Sequence, residues 1–186
     1  MPVAVGVSQC GDCLLHPSAL DACDAALDYS YPWADLIAQF KFTPCDPGWA
    51  AHLGQLLRRA PLTKQFIHEA DLVLPIPLSR ERLAERGFNQ ALLLARRSGA
   101  DEKIRTDLLL RVLHTPAQSQ LTRAQRLRNL RASFAVDPLK TSEIKGRHVL
   151  LIDDVMTTGA TLQTAALRLK QAGAAEVRAL VLARTA

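Results

Sequence analysis

The chain has 186 residues, 48% of them hydrophobic, which is enough to bury one substantial core. It contains no uninterrupted apolar run of about 18 residues, and its start, MPVAVGVSQCGDC, lacks the basic beginning and apolar centre of a secretory signal; both points argue against membrane insertion and lead us to expect a cytoplasmic protein. A net charge of +5 favours anionic partners, but phosphorylated small molecules and nucleic acid satisfy it equally.

Residues 1–30 carry turn formers and cysteines with little periodicity and read as an irregular N-terminal segment. The cysteines are Cys10, Cys13, Cys23 and Cys45, and none follows. Cys10 and Cys13 have the two-residue gap that lets both sulfurs of a turn reach one zinc ion, with Cys23 or His16 as a conceivable third ligand. A second CxxC is absent, so unligated reduced thiols are the competing reading.

From YPWADLIAQFKF the pattern tightens. Trp33, Leu36, Ile37 and Phe40 recur at helical spacing, and Pro44 and Pro47 are expected to stop that helix. GWAAHLGQLLRR predicts a second helix, with Leu53, Leu56 and Leu57 on one face and Arg58 and Arg59 at its dipole-negative end. Both helices should cover an edge or face of the core. ADLVLPIP is a short apolar run ended by prolines, as for a buried strand that stops at the mouth of a site. In SRERLAERGFNQALLLARRSG, Ser79 is placed to cap a helix, Gly87 interrupts it, and residues 91–97 continue with Leu92 and Ala95 inward.

DLLLRVLHT then reads as a strand, and the polar, basic residues 116–129 as a long loop running into a short helix. RHVLLIDDV predicts a strand buried on both faces, GATLQTAALRLKQAG a helix ending at Gly173, and AEVRALVLAR a last strand. Strands that alternate with helices, several of them near-continuously apolar, predict a parallel α/β sheet.

The most informative stretch is VLLIDDVMTTGAT, residues 149–161. A strand ending on Asp153 and Asp154 delivers two carboxylates to the C-terminal edge of a parallel sheet, where open α/β folds bind ligands. Thr157, Thr158, Gly159, Ala160 and Thr161 follow and lead into a helix. Free N–H groups at a helix start, hydroxyls beside them and a glycine that permits close approach make a cradle for a monophosphate. A ligand with a phosphate at one end and a diol further along satisfies both parts, because the acids accept hydrogen bonds from the hydroxyls. A 5-phosphorylated ribose is such a ligand. A receiver domain, which also places paired acids after a strand, needs more βα units than remain, and neither GxxxxGK[ST] nor a strand-linked GxGxxG occurs.

This stretch closely resembles the 5-phosphoribosyl 1-pyrophosphate (PRPP) motif of type I phosphoribosyltransferases. PIPLSRERLAERGFNQALLLA (75–95) and TPAQSQLTRAQRLRNLRASFAV (115–136) are similar to the ComF family, associated with DNA uptake in competent bacteria. The resemblance covers about residues 30–185. It implies a type I phosphoribosyltransferase fold over residues 31–186, a mainly parallel central sheet flanked by helices with a flexible hood loop. Residues 1–30 would then be a partial zinc-finger remnant, since ComF proteins usually begin with a complete four-cysteine finger.

The resemblance also implies roles. Asp153 and Asp154 would contact the ribose hydroxyls and residues 157–161 the 5-phosphate. Ile76, Pro77, Leu78 and Ser79, with Arg80 or Arg82, would form the pyrophosphate loop, and magnesium would bridge pyrophosphate and ribose while keeping most of its waters. Arg86 of RGFNQ is a candidate catalytic cation, and Arg123, Arg126 and Arg128 on the hood, residues 118–131, would meet pyrophosphate or a second anion. Plainer roles compete: Arg86 and Asn89 as helix caps or bridges, residues 123–131 as a solvated helix face, Phe88 as core, and His68 and His114 without a catalytic part. Trp33, Tyr29 and Tyr31 anchor a helix more readily than they stack on bases.

Two functions are carried forward. One is transfer of phosphoribosyl from PRPP to an unidentified nucleophile with release of pyrophosphate. The other is a non-catalytic module that binds PRPP or a nucleotide, or holds single-stranded DNA with a DNA-uptake helicase as partner.

Overall fold

The computed structural model describes residues 18–42, 47–112 and 133–185. Four strands, β1 (Ala22–Asp28), β2 (Leu72–Pro75), β5 (His148–Met156) and β6 (Glu176–Arg184), form a wholly parallel sheet in the order β1-β6-β5-β2. The helices are α1 (Trp33–Phe42), α2 (Pro47–Arg59), α3 (Thr63–Glu69), α4 (Arg80–Arg86), α5 (Gln90–Ser98) and α6 (Ala160–Gln171). Two short strands, β3 (Leu109–Arg111) and β4 (Phe134–Val136), pair antiparallel as a separate ribbon. Among the described residues no helix is long and apolar enough to cross a membrane.

The near-continuous apolar run of β5 follows from its place between β6 and β2, with both faces covered. Leu150 and Ile152 join Leu180 and Leu182 of β6 in a core shared with Ile37 and Phe40 of α1 and Leu53 and Leu57 of α2. Val149 and Leu151 face the other way, toward Leu162, Ala165 and Leu169 of α6 and Phe134 of β4. This period of two is what a pleated strand imposes, so the sheet lies between two layers.

Several expectations are corrected. The second half of residues 1–30 is not irregular, because Ala22–Asp28 is an edge strand of the main sheet, in register with β6 from Ala22↔Arg178 to Asp28↔Arg184. Its sequence, ACDAALD, hides this because an edge strand pairs on one side only and here carries small and acidic residues. Asp24 is accounted for by accepting the Leu62 N–H at 2.9 Å, and the preceding Asp21 by accepting that of Val177 at 2.7 Å. The helix α1 ends at Phe42, ahead of both prolines, and Pro47 in addition opens α2, in the first turn where its missing N–H has no intrahelical partner to lose. Leu94, rather than Leu92, lies fully inward on α5, and Leu92 is half-buried. The helix α3 was not anticipated, and the strand within DLLLRVLHT belongs to the ribbon rather than the sheet.

Candidate functional site

All four strands of the sheet run the same way, so their C-terminal ends share one edge. A cavity of about 270 Å³ opens there. Tyr29 comes to it from the end of β1, Ile76 and Leu78 from beyond β2, and Asp153, Asp154 and Thr157 from the end of β5.

The strand β5 continues past the acids to Met156, which fixes their backbone in the sheet up to the start of the threonine loop. Asp154 is 9% exposed and its Oδ1 accepts the Val155 N–H at 2.7 Å; Asp153 Oδ1 accepts the Asp154 N–H at 2.9 Å. Each carboxylate therefore has an oriented backbone contact and further acceptor capacity. After them, Gly159 adopts φ +72° and caps α6 without a side-chain hydrogen bond. A side chain there would be strained in this left-handed conformation, and the first N–H of the 12-residue helix, that of Ala160, donates to Thr158 Oγ1 at 3.4 Å. Thr157 and Thr161 line the cavity at this end.

Three guanidinium groups, those of Arg82, Arg86 and Arg111, line the same cavity as the acids. Ser79 is an N-cap, its Oγ accepting the Arg82 N–H at 3.3 Å, and this starts α4 at the point that brings Arg82 to the cavity. Arg80, two positions earlier, lines a neighbouring cavity of about 500 Å³ with Pro77 and Ser79. Of the two arginines offered by the sequence, Arg82 is thus the one beside the acids. Gly87 ends α4 at φ +75°, and the chain turns so that Arg86 Nη1 donates to Oε1 of the buried Gln90 at 3.2 Å. Asn89 caps α5, accepting the N–H groups of Ala91 and Leu92, while its Nδ2 donates to the carbonyl of Ile76 at 3.0 Å. The same residue therefore ties the loop after β2 to the start of α5. Phe88 is core, tilted against Phe40 with ring centres 6.0 Å apart.

Arg111, Tyr29 and Gln90 were not anticipated as cavity residues. For Arg111 a signal existed, a lone cation inside the apolar run LLLRVL. Burial, and secondarily the charge of Arg82, push its guanidinium below the ordinary arginine range, while Asp153 pulls the other way. Tyr29 depended on β1, whose sequence does not announce a strand.

Among the described residues no group of three or more His, Cys, Asp or Glu side chains could hold a metal ion. The two acids of the cavity cannot enclose a divalent cation, but they suit one that keeps most of its oxygen ligands from water and a bound phosphate. Cys10 and Cys13, the expected partial zinc site, and the hood residues Arg123, Arg126 and Arg128 lie outside the described residues. Cys23 sits on β1 with its Sγ 3.8 Å from Met156 Sδ.

Residues 83–186 match the model of a family described as the phosphoribosyl transferase domain. The chain is 33% identical over 182 residues to competence protein F of Haemophilus influenzae, covering 95% of this chain and 78% of that protein. It is 32% identical over 191 residues to DNA utilization protein YhgH of Salmonella typhimurium, covering 100% and 82%. To competence protein ComFC of Bacillus subtilis it is 40% identical over 115 residues, covering 61% and 45%.

Proposed function

This chain belongs to the phosphoribosyl transferase family, within the competence protein F group, and from that premise we propose that its cavity binds PRPP with magnesium and transfers phosphoribosyl to a nitrogen nucleophile. The observation that carries this reading is the pairing of Asp153 and Asp154 with Arg82 and Arg86 across one cavity, with a threonine loop at its end. A sugar diol between two anionic ends needs that order of acceptors and donors.

In this mechanism Asp153 and Asp154 accept hydrogen bonds from the two ribose hydroxyls and fix the sugar. Thr157 and Thr161, with the N–H groups at the start of α6, hold the 5-phosphate, so the two ends of the substrate are anchored before C1 reacts. The C1–O bond to pyrophosphate breaks with its electron pair leaving on oxygen, and the nucleophile's lone pair forms the new bond at C1. Arg82 and Arg86 supply fixed positive charge where negative charge grows, and Gln90 keeps Arg86 aimed. Magnesium, when bound with the substrate, neutralises part of the pyrophosphate charge.

The test is calorimetric titration of PRPP with magnesium into the wild type and Asp153→Asn, with pyrophosphate assayed in the same samples. The expected result is binding by the wild type that weakens about ten-fold or more in the variant, the loss of a charge-assisted hydrogen bond. No binding by the wild type would sink the reading.

The competence and DNA utilization names of the relatives favour a second reading, a PRPP or nucleotide sensor, or a single-stranded-DNA-binding accessory, without turnover. PRPP binding that depends on Asp153, with no pyrophosphate released in the presence of candidate amines, would favour the sensor. Oligonucleotide binding without PRPP binding would favour the accessory protein.

A further inference from the structure

Only part of the stripe that α2 turns toward α1 faces the core. Trp49, His52, Leu53, Leu56 and Arg59 recur at helical spacing, and with Gln55 and with Trp33 at the start of α1 they enclose a groove of about 530 Å³. That volume lies within the range, about 300–1,000 Å³, of small-ligand sites. The groove shares no residue with the cavity that holds Asp153 and Asp154.

Leu53 is fully buried, and Trp33 packs against the same core, as a helix anchor does. Trp49 remains 36% exposed, its ring tilted at 60° to that of His52 with the two centres 6.3 Å apart. Exposed apolar surface gathered in one groove, rather than scattered singly, marks an interaction site.

The polar groups of the groove select its ligand. Among the described residues, the Gln55 amide and the Arg59 guanidinium make no side-chain hydrogen bond or ion pair. No acid among the described residues lines the groove, and the sequence from Pro47 to His68 contains none, while it supplies Arg58, Arg59 and Lys64. Indole faces also attract cations, but Arg59 stands at the same groove and opposes one. An apolar segment of another protein would cover Gln55 and Arg59 without giving them partners. A flat base with an attached phosphate meets every group: the base stacks on the indoles, the amide pairs with its edge, and the planar guanidinium takes the phosphate. One pair of indoles and one lining arginine suit a single nucleotide, because a strand needs a platform and a cation for each successive base.

We propose that this groove is a second ligand site, separate from the cavity at the sheet edge, and that it binds a free nucleoside monophosphate. The base lies against Trp33 and Trp49, and the phosphate pairs with Arg59. No covalent bond is made or broken there, and the site does not depend on the PRPP reading.

The chain has two tryptophans, both in this groove, so tryptophan emission reports on this site. The experiment titrates AMP, adenosine, ribose 5-phosphate and a short oligodeoxyadenylate into the wild type, Arg59→Gln, Trp49→Leu and Asp153→Asn, exciting beyond the absorption of the bases. Thermal midpoints establish that each variant is folded. The expected result is saturable quenching by AMP, with affinity about ten-fold or more lower in Arg59→Gln and in Trp49→Leu, which lose a charge-assisted hydrogen bond and a stacking platform. Adenosine should bind the wild type about ten-fold more weakly than AMP does, and should bind Arg59→Gln equally well. Ribose 5-phosphate should leave the emission unchanged, and Asp153→Asn should respond to AMP as the wild type does. No saturable quenching by AMP overturns the proposal, as does AMP affinity unaltered in folded Arg59→Gln. Quenching lost in Asp153→Asn also overturns it, because the nucleotide would then act from the other cavity. An oligonucleotide bound about ten-fold or more tightly than AMP, with a steep dependence on salt, overturns the assignment to a free nucleotide in favour of a single strand.

Discussion

Asn89 joins three backbone groups on two elements: its Nδ2 donates to the Ile76 carbonyl, and its Oδ1 accepts from Ala91 and Leu92. The short motif RGFNQ is thus a bracket in which each residue has a separate task. Arg86 enters the cavity, Gly87 turns the chain, Phe88 anchors on Phe40, Asn89 ties down the loop after β2, and Gln90 orients Arg86. Replacing Asn89 by Ala removes both the helix cap and the loop tie, and should lower stability by about 1–2 kcal/mol in urea denaturation. Pyrophosphate affinity should fall more than ribose 5-phosphate affinity, because the tie acts on the loop after β2 and not on the threonine loop. Equal losses for the two ligands would show that Asn89 supports the site only through general stability. The sequence offered Asn89 as a helix cap or bridge; the geometry makes it a cap that also acts on a loop of the site.

At the scale of elements, the layer over one face of the sheet depends on the close approach of α2 and α5. Gly54 of α2 is buried, and a Cβ built on it would overlap the Arg97 side chain of α5 at its own Cβ. The helices have no slack there, because α2 also packs Leu53 and Leu57 onto the sheet through the same core as Leu94 and Ala95 of α5. Gly54→Ala should therefore destabilise the fold by about 1–3 kcal/mol, the cost of overpacking, despite the better helix propensity of alanine. A thermal midpoint unchanged by the substitution would show that α5 can shift freely. Such a shift would carry Asn89 and Gln90 with it, so the variant should also weaken pyrophosphate binding.

For the molecule as a whole, an ion-pair network ties the chain entering the β3–β4 ribbon to the chain leaving it. Asp107 accepts two hydrogen bonds from Arg105, each 2.9 Å, and another from Lys140, while Arg105 also pairs with Glu143 at 2.6 Å. These contacts, Arg105 first, hold the Asp107 carboxyl well below the usual carboxylate range. Its folded-state pKa is depressed, so its contribution to stability is complete above the unfolded value, about 3.9, and is lost as pH falls below that toward the folded value. The Asp107 side chain is 41% exposed, and solvent screening limits the contribution to about 0.2–1 kcal/mol. Urea denaturation at pH 7 and at successive pH values below about 4 should show Asp107→Asn less stable than wild type at pH 7 and converging with it in acid. A constant gap across that range would assign the loss to packing rather than charge.

Much of the fold and site was legible in the chain where the determinants are local. VLLIDDVMTTGAT contains in thirteen residues an apolar strand, its two acids and the threonine and glycine loop that opens α6, and each follows from side-chain type and order alone. The same holds for the Ser79 cap, the Gly87 break and the helix that ends before Gly173, because a helix terminus is decided by a few neighbouring residues. Tertiary structure decided what depends on chain segments far apart. It made ACDAALD a strand by giving it β6 as a partner, chose Arg82 over Arg80 for the cavity with the acids, and brought Tyr29 and Arg111 to that cavity. The physical reason is that an edge strand with one partner carries little hydrophobic period. A cation stacked on Phe134 and facing Asp153 has its neighbours more than twenty residues away along the chain, where no local spacing can record them.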